Sequence, residues 1–310
     1  MAEKKKLYIL TGFLGAGKTT VLQNILETLK DRKVGIIQNE FGKLGIDGDI
    51  IRRDGIEMVE INRGSIFCSC LKLSFVQALS ELGKMDLEYV FVESSGLADP
   101  SNIEEILNAV KQLAGDFYEL KGVICLIDGV NFPEQLKDVE TVDRQLAHCH
   151  LALINKTDLI DENQLSEVIN EVRKVNLVCK LQVCQNGDIG SEFLSENLVE
   201  KQWAKCEDSL NKVDNKPKTI SLEFEGSIEN TVLTEFLKGA LQDCYRIKGF
   251  FHLTEGWMQV DVVGRLIDYK PCAEKGISQL VFLSKVGPKV IRTVDAAWKN
   301  ATELPMKLKN

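Results

Sequence analysis

The most constraining feature of the sequence is a glycine-rich segment, GFLGAGKTT, at residues 12–20. It matches the pattern G-x-x-x-x-G-K-[S/T] and lies between an apolar run, KLYILTG, and an amphipathic stretch, KTTVLQNILETLK. In a strand–loop–helix unit of this kind, backbone N–H groups of the loop wrap around phosphate oxygens. The segment therefore predicts a nucleoside-phosphate site at the end of the first strand of an α/β domain.

The residue types in this loop predict the role of each position. The backbone that wraps the phosphates is expected to come from Gly12, Gly15, Ala16 and Gly17. Lys18 is predicted to neutralise charge on the outer phosphates, and the Thr19 hydroxyl is predicted to bind Mg²⁺. Thr20 supplies a second hydroxyl at the start of the helix.

Apolar runs of strand length recur along the first two thirds of the chain. After the first run come KVGIIQNEFG, LEYVFVESSG, LKGVICLIDG and CHLALINKTD, each ending in polar or glycine residues. Continuous rather than alternating hydrophobicity is typical of strands buried on both faces, so we expect a mostly parallel sheet covered by helices. Functional residues are then expected at the carboxyl ends of the strands.

The pattern changes near residue 200. The polar stretch CEDSLNKVDNKPK indicates a linker at 206–217, after a first domain at 1–205. From Lys218 onward, TISLEFEG and GWMQVDVVGRLIDY alternate apolar and polar residues, a helix-like ENTVLTEFLKGALQDC lies between them, and SQLVFLSKVG ends the predicted sheet. This region, 218–310, is predicted to be a smaller α+β domain with a half-exposed, largely antiparallel sheet.

The segment VFVESSG predicts the second half of the phosphate site. Glu93 ends a buried strand beside the phosphate loop, where an acidic residue can hold Mg²⁺ or its bound water. Gly96 can offer its backbone N–H to the terminal phosphate. Glu93 alone could instead cap the next helix, but its pairing with the phosphate loop favours the magnesium role.

The segment LALINKTDL predicts which base is bound. In an N-K-x-D turn the carboxylate, here Asp158, accepts hydrogen bonds from N1–H and N2–H of guanine, whereas adenine offers neither donor. Sites of this kind reject analogues that lack the bonded group by factors of up to ~10⁴–10⁵. Asn155 is expected to tie the turn together, and the Lys156 stem to lie on the base. The three motifs in this order predict GTP; a small-molecule kinase would share the phosphate loop but would not need NKTD.

The motifs GFLGAGKTT, NEFG, ESSGLADP and NKTDL, in that order, closely resemble the CobW family of P-loop GTPases, relatives of HypB and UreG. The resemblance continues through RIKGFF, Trp257 and LVFL and covers nearly the whole chain. It implies a P-loop NTPase domain followed by a CobW C-terminal-like α+β domain. It also implies slow GTP hydrolysis coupled to delivery of a metal such as Zn²⁺ or Co²⁺, or to activation of a metal- or cobalamin-dependent client enzyme.

The resemblance also points to a metal site and to a water-orienting residue. Members of the family usually carry G-C-x-C-C after the second conserved strand, whereas this chain reads GSIFCSC, with Ser65 and Phe67 at two of the cysteine positions. Cys68 is retained and Cys70 is added. In the family, a glutamate of the first switch, here in NEFG, can join the cysteines. Asp47, in the same switch segment, is the candidate for orienting the attacking water, unless a partner supplies an arginine finger.

The glutamate of that possible metal site is Glu40, and a water or Glu60 could fill a fourth position. Two thiolates in C-x-C can bind a soft or borderline cation. Three interpretations of Cys68 and Cys70 stay open: a transition-metal site, redox or corrinoid-related chemistry, and ordinary partly buried thiols. The corresponding rival function is a nucleotide-gated docking module for a corrinoid or other cofactor protein that carries no metal itself.

Charge and composition narrow the range of partners. The net charge of −8 and pI near 5.2 argue against a general affinity for nucleic acid or anionic membranes. No apolar run approaches the roughly 18 residues that span a bilayer, and no signal peptide is recognisable, so a cytoplasmic protein is expected. A homodimer is neither predicted nor excluded.

The remaining cysteines and a histidine pair are expected to be structural. Nine cysteines, an odd number, do not suggest a disulfide framework. Several are predicted to be small buried hydrophobes: Cys125, Cys179, Cys184 and Cys244. His148 and His150 are expected to mark a strand entrance rather than to bind metal.

Overall fold

The computed structural model describes residues 3–40, 56–62, 72–200, 218–264 and 266–309. The chain divides into two compact units, Met1–Asn215 and Lys216–Asn310. The predicted linker, 206–217, lies outside the described residues, so the domain boundaries drawn from the sequence stay a prediction. None of the described helices is both long and apolar enough to cross a membrane.

The first unit contains a seven-stranded sheet in the order β3-β2-β4-β1-β5-β6-β7. Its strands are β1 Lys5–Gly12, β2 Val34–Glu40, β3 Ile56–Asn62, β4 Tyr89–Glu93, β5 Tyr118–Asp128, β6 Leu151–Asn155 and β7 Lys180–Val183. All of the described pairings between neighbours are parallel. The α/β prediction is therefore confirmed, and the five predicted strands are joined by β3 and β7 at the two edges of the sheet.

Six α-helices are described between these strands. They are α1 Lys18–Thr28, α2 Lys72–Lys84, α3 Ile103–Leu113, α4 Phe132–Asp138, α5 Glu140–Ala147 and α6 Glu162–Val175. The start of α6 shows why such boundaries are sharp: the Asp161 side chain accepts from the Gln164 N–H, and the Gln164 side chain accepts from the Asp161 N–H. Because the pairings among them are parallel, the carboxyl ends of β1, β2, β4, β5 and β6 share one edge of the sheet.

The centre of the sheet is packed with aromatic rings. Tyr8 of β1 stacks on Phe91 of β4 with 5.3 Å between ring centroids, and Phe193 meets Tyr8 edge-on at 5.5 Å. Every residue of β4 is buried, as are the last six residues of β1. Since these two strands are held on both faces, the loops that follow Gly12 and Glu93 start from fixed positions.

The second unit is a six-stranded antiparallel sheet in the order β11-β10-β9-β12-β8-β13. The strands are β8 Thr219–Phe224, β9 Cys244–Leu253, β10 Gly256–Val263, β11 Leu266–Pro271, β12 Ser278–Ser284 and β13 Lys307–Lys309, and the helices are α7 Asn230–Leu241 and α8 Val290–Ala301. Trp298 of α8 packs against Phe224 and Phe236 at centroid distances of 5.3 and 5.0 Å. The α+β prediction is confirmed.

One detail of the predicted second domain is wrong. The segment SQLVFLSKVG does not end the sheet, because β13 pairs with β8 after the intervening helix α8. The strand has three residues with little apolar content, KLK, and only its middle residue, Leu308, packs against the core. So short an edge strand leaves no periodicity that a sequence pattern could reveal.

Candidate nucleotide-binding site

The phosphate loop joins the end of β1 to the start of α1, and at two of its glycines a side chain would clash with neighbouring atoms. Gly12 has φ 128°, and a Cβ built there would lie 2.2 Å from the carbonyl oxygen of Leu126 on the neighbouring strand. Gly17 has φ 99° and directly precedes α1, where a Cβ would lie 2.4 Å from Nδ2 of Asn155. The loop backbone is thus pressed against both β5 and the N-K-x-D turn.

The start of α1 is suited to an anion. The N-cap residue, Gly17, has no side chain that could cap the first N–H groups, and the first turn contains no acidic residue. The N–H groups of a first helical turn and the helix dipole both favour negative charge. Gly15 and Ala16 complete the loop, where the Ala16 N–H donates to the Phe13 carbonyl at 3.3 Å.

Lys18 lies within this loop rather than in solvent. Its side chain is 8% exposed, and Nζ donates to the carbonyl oxygens of Gly12 at 2.8 Å and Phe13 at 3.0 Å. The ammonium group is therefore held at the mouth of the loop, beside the N–H groups that would face phosphate. Thr20 is exposed, and its methyl group lies close to Gly187 on a different loop.

Thr19, Glu93 and Gln38 form a chain of hydrogen bonds across three elements. The Thr19 hydroxyl donates to Glu93 Oε1 at 2.7 Å, and the Gln38 amide donates to Glu93 Oε2 at 3.1 Å. Gln38 and Glu93 are register partners on β2 and β4. The other amide atom, Gln38 Oε1, is buried with no hydrogen-bond partner among the described residues. The cluster therefore brings a hydroxyl, a carboxylate and an unsatisfied amide oxygen together below the phosphate loop.

Gly96 packs directly on the phosphate loop. A Cβ at this position would lie 2.5 Å from Cδ2 and 2.7 Å from the backbone nitrogen of Leu14. The Gln145 amide, from α5, donates to the carbonyls of Gly96 at 3.3 Å and Ala98 at 2.8 Å. The segment after β4 is thus fixed between the loop and a helix, with its glycine facing the loop.

Asn155 joins the N-K-x-D turn to the phosphate loop. Its Nδ2 donates to the Ala16 carbonyl at 3.0 Å, and its Oδ1 accepts from the Gly187 N–H at 3.1 Å and the Cys184 thiol at 3.4 Å. The side chain is 3% exposed. One amide therefore fixes three loops, those after β1, β6 and β7, to each other.

Lys156 turns the chain in the left-handed region, with φ 63°. Its Nζ donates to Asp128 Oδ2 at 2.9 Å, and Asp128 also accepts from the Val130 N–H and from the Asn131 side chain, each at 3.0 Å. The pair links the loop after β5 to the loop after β6. Asp128 was not predicted as a site residue.

Asp158 is exposed on the short 3-10 helix Thr157–Leu159. The Thr157 hydroxyl anchors this helix by donating to the Cys184 carbonyl at 2.9 Å. Burial raises the pKa of the Cys184 thiol to about 11, and the charges of Asp188 and Asp158 add to the effect. Asp158 is therefore exposed on a turn that the Thr157 hydroxyl fixes to the loop after β7.

Several predicted residues lie outside the described part of the chain. Asp47, Cys68 and Cys70 lie there, and Glu40 and Glu60 are described only as backbone positions of β2 and β3. Within the described residues, no group of three His, Cys, Asp or Glu side chains is arranged to hold a metal ion. The predicted transition-metal site therefore stays a prediction.

Cys272 is only partly buried, whereas the five other described cysteines and the histidine pair are buried. This confirms the expectation for Cys125, Cys179, Cys184 and Cys244. His148 and His150 directly precede β6, and His150 Nδ1 accepts from the Val123 N–H at 3.0 Å. Burial lowers the pKa of His150 to about 4. The imidazole is therefore neutral at ordinary pH, with one ring nitrogen committed to the backbone.

Sequence patterns could have revealed one of the unpredicted residues. Asp128 is an acidic residue at the end of a buried run, LIDG, which is the same signal that singled out Glu93. Gln38 and Gln145 carry no comparable signal, since their contacts depend on neighbours far away in the chain. The turn containing Gly187 follows an edge strand too short to be recognised.

Comparison with known proteins places this site in a family. The family model for the CobW/HypB/UreG nucleotide-binding domain matches residues 6–182. The family model for the cobalamin synthesis protein cobW C-terminal domain matches residues 218–295. The zinc chaperone YjiA of Escherichia coli is 32% identical over 205 residues, which cover 62% of this chain and 63% of YjiA. This chain thus spans less than two thirds of that relative.

Longer alignments are found with two other proteins. The zinc chaperone CobW of a Sinorhizobium species is 27% identical over 84% of this chain and 85% of its own length. The zinc-regulated GTPase metalloprotein activator 1 of Schizosaccharomyces pombe is 27% identical over 91% of this chain and 80% of its own length. Among solved structures, Zn(II)-bound YjiA GTPase from E. coli aligns over 97% of this chain with a TM-score of 0.48 and 22% identity. Because the nucleotide-binding model matches more than half of the chain, the protein belongs to the CobW/HypB/UreG family.

Proposed function

We propose that the protein binds GTP with Mg²⁺, hydrolyses it to GDP and phosphate, and uses the cycle to deliver a metal to, or activate, a client metalloenzyme. The observation that carries the nucleotide part is the Asn155 amide, which bonds the N-K-x-D turn to the Ala16 carbonyl of the phosphate loop. A base motif fixed to a phosphate loop is what recognition of one nucleotide requires. The Asp158 carboxylate then accepts from guanine N1–H and N2–H.

The donor set below the phosphate loop fits magnesium. Mg²⁺ prefers oxygen ligands and keeps several of its waters. Thr19 Oγ1 and Glu93 Oε1 are 2.7 Å apart, and the unsatisfied Gln38 Oε1 supplies a further acceptor for bound water. When bound, the ion would neutralise charge on the outer phosphates.

Hydrolysis would depend on positioning and charge. Lys18, already held at the loop mouth, would move its donors from loop carbonyls to phosphate oxygens. The backbone N–H of Gly96 would contact the terminal phosphate, and Glu93 would hold the hydrated ion. Asp47 stays the candidate for orienting the attacking water.

The metal part of the proposal is supported by the names of the relatives, which are zinc chaperones and a zinc-regulated metalloprotein activator. Zn²⁺ is therefore the first cargo to test and Co²⁺ the second. The proposed ligands are Cys68, Cys70 and Glu40, because two thiolates and a carboxylate suit a borderline cation. Ser65 and Phe67, at the positions of usual family cysteines, favour a second candidate: a nucleotide-gated docking module for a corrinoid or other cofactor protein.

Two measurements on the purified, reduced protein test these proposals. Competition between GTP and ATP should show a strong preference for GTP, and equal binding would refute the base assignment. Zn²⁺ titration should show a site that is lost in the Cys68→Ser, Cys70→Ser double variant while GTP binding is retained. If native and double variant bind Zn²⁺ equally, the metal-delivery proposal fails and the docking module becomes the better account.

A further inference from the structure

One deeply buried charge near the nucleotide site belongs to Asp128, which has no part in the proposed contacts to GTP. The residue is 1% exposed at the end of β5. Its Oδ1 accepts from the Val130 N–H, and its Oδ2 accepts from the Asn131 amide and from Lys156 Nζ. A buried carboxylate with three donors has most of its hydrogen-bonding capacity satisfied, and its charge requires a cation beside it.

The cation that the structure pairs with Asp128 is Lys156. The Lys156 side chain is 22% exposed, whereas that of Asp128 is fully buried. Removing either partner of such a pair leaves the other charge poorly compensated. The pair therefore constrains where the Lys156 side chain can lie, and with it the turn that follows.

The backbone of Lys156 needs this constraint. A left-handed conformation costs a non-glycine residue roughly 1–2 kcal/mol, and Lys156 has φ 63° and ψ 32°. Asp128 and Asn155 are register partners on β5 and β6, and the Gly129 N–H donates to the Asn155 carbonyl at 3.0 Å. The loop after β5 thus holds the N-K-x-D turn in two ways. The Gly129 N–H binds the backbone just before Lys156, and Asp128 binds the Lys156 side chain.

We propose that Asp128 is a positioning residue for guanine recognition: by fixing Lys156 in the left-handed conformation, its carboxylate sets the direction in which Asp158 meets the base. Selectivity for guanine then depends on a residue that contacts no part of the nucleotide. This inference rests on the proposed function, since it refines how the same site chooses its base. The phosphate contacts come from other loops and are independent of Asp128.

The test is Asp128→Asn, with the affinities for GDP and ADP measured by titration calorimetry on the full chain. The variant should lose about tenfold in GDP affinity while ADP affinity stays nearly unchanged, because only guanine uses Asp158. A purely structural role would lower both affinities together and leave their ratio unchanged, and that result would overturn the proposal.

Asp99→Asn is the matched control. Asp99 is also a buried carboxylate, ion-paired with Arg144 at 3.2 Å in the same unit, but it belongs to the segment after β4. It should leave the ratio of GDP to ADP affinity at the native value. An equal fall of the ratio in this control would also overturn the proposal, because the loss of any buried carboxylate would then lower guanine selectivity.

If Asp128→Asn does not fold, Asn131→Ala replaces it. This change removes one donor to Asp128 and keeps the ion pair, so the ratio should fall by a factor of about 2–3, and an unchanged ratio counts against the proposal. Failure of the proposed function is distinguishable, because the native protein would then bind GDP and ADP equally. A native preference for GDP that Asp128→Asn leaves intact would refute only the inference.

Discussion

Asn155→Ala should separate the phosphate loop from the base-recognition turn. The change removes the donor to the Ala16 carbonyl and the acceptor for the Gly187 N–H, and both of these backbone groups are buried. Each hydrogen bond contributes about 0.5–1.5 kcal/mol net, and each buried group left unsatisfied adds to the loss. The thiol contact from Cys184 is weaker, so we expect the free energy of unfolding to fall by about 2–4 kcal/mol.

The effect on nucleotide binding should exceed what lost stability explains. Once the amide is gone, the loops after β1, β6 and β7 lose the side chain that joins them, and the phosphate and base contacts no longer share one rigid frame. GDP affinity should fall by at least tenfold, which corresponds to about 1.4 kcal/mol. Urea denaturation measures the stability and calorimetric titration with GDP measures the affinity, both under conditions where the variant stays folded.

Asn176→Ala provides the control. Asn176 is also a buried asparagine, and its amide donates to the carbonyls of Leu146 at 2.9 Å and Cys149 at 3.2 Å while accepting from the Cys179 N–H at 2.9 Å. It lies before the start of β7, at the amino-terminal ends of the strands, whereas Asn155 lies at the carboxyl end of β6. Its loss should reduce stability similarly and leave GDP affinity unchanged. Native-like GDP binding by Asn155→Ala, or an equal loss in both variants, would refute the reasoning.

Four further predictions concern single groups. Asp158→Asn should relax the preference for GTP over ATP in competition binding, and an unchanged preference would mean that another group reads the base. Lys18→Ala should abolish or severely reduce GTP hydrolysis in a phosphate-release assay while circular dichroism stays native; unchanged turnover would contradict its role. Glu93→Gln should weaken hydrolysis in a way that raised magnesium partly restores, so a defect insensitive to magnesium argues against a metal role. The lowered pKa of His150, about 4, means that its contribution to stability is present above pH 6.5 and lost as the pH falls toward 4. Between pH 7 and pH 4.5 the free energy of unfolding, measured by urea denaturation, should fall by roughly 2–3 kcal/mol. The fall should be smaller in His150→Asn, which keeps an acceptor for the Val123 N–H. Equal acid sensitivity of the two proteins would exclude His150 as the cause.

The sequence was informative wherever a local pattern carries the structure. The run before Gly12 and the run before Glu93 are continuous because β1 and β4 are buried on both faces, and both predicted positions lie at the carboxyl edge of the sheet. The edge strand β7 escaped recognition because its residues are only partly buried or exposed, so its sequence, KLQV, carries no continuous apolar run.

Side-chain contacts between distant loops could not be read from local patterns. Gln38 meets Glu93 because β2 and β4 are neighbours in the sheet, although a third strand lies between them in the chain. Lys156 was expected to lie on the base, and the structure adds its bond to Asp128, which no spacing rule predicts. These contacts depend on the strand order, which becomes known only with the fold.

The close packing of Gly96 on Leu14 limits how this protein can vary during evolution. Replacing Leu14 with a smaller residue would remove the clash with its side-chain carbons but not the one with its backbone nitrogen, 2.7 Å from where a Cβ would lie. No change at position 14 can therefore make room for a side chain at position 96. Substitutions are therefore tolerated at position 14 but not at position 96. In a set of orthologues, position 14 should accept residues of several sizes while position 96 stays glycine in all of them.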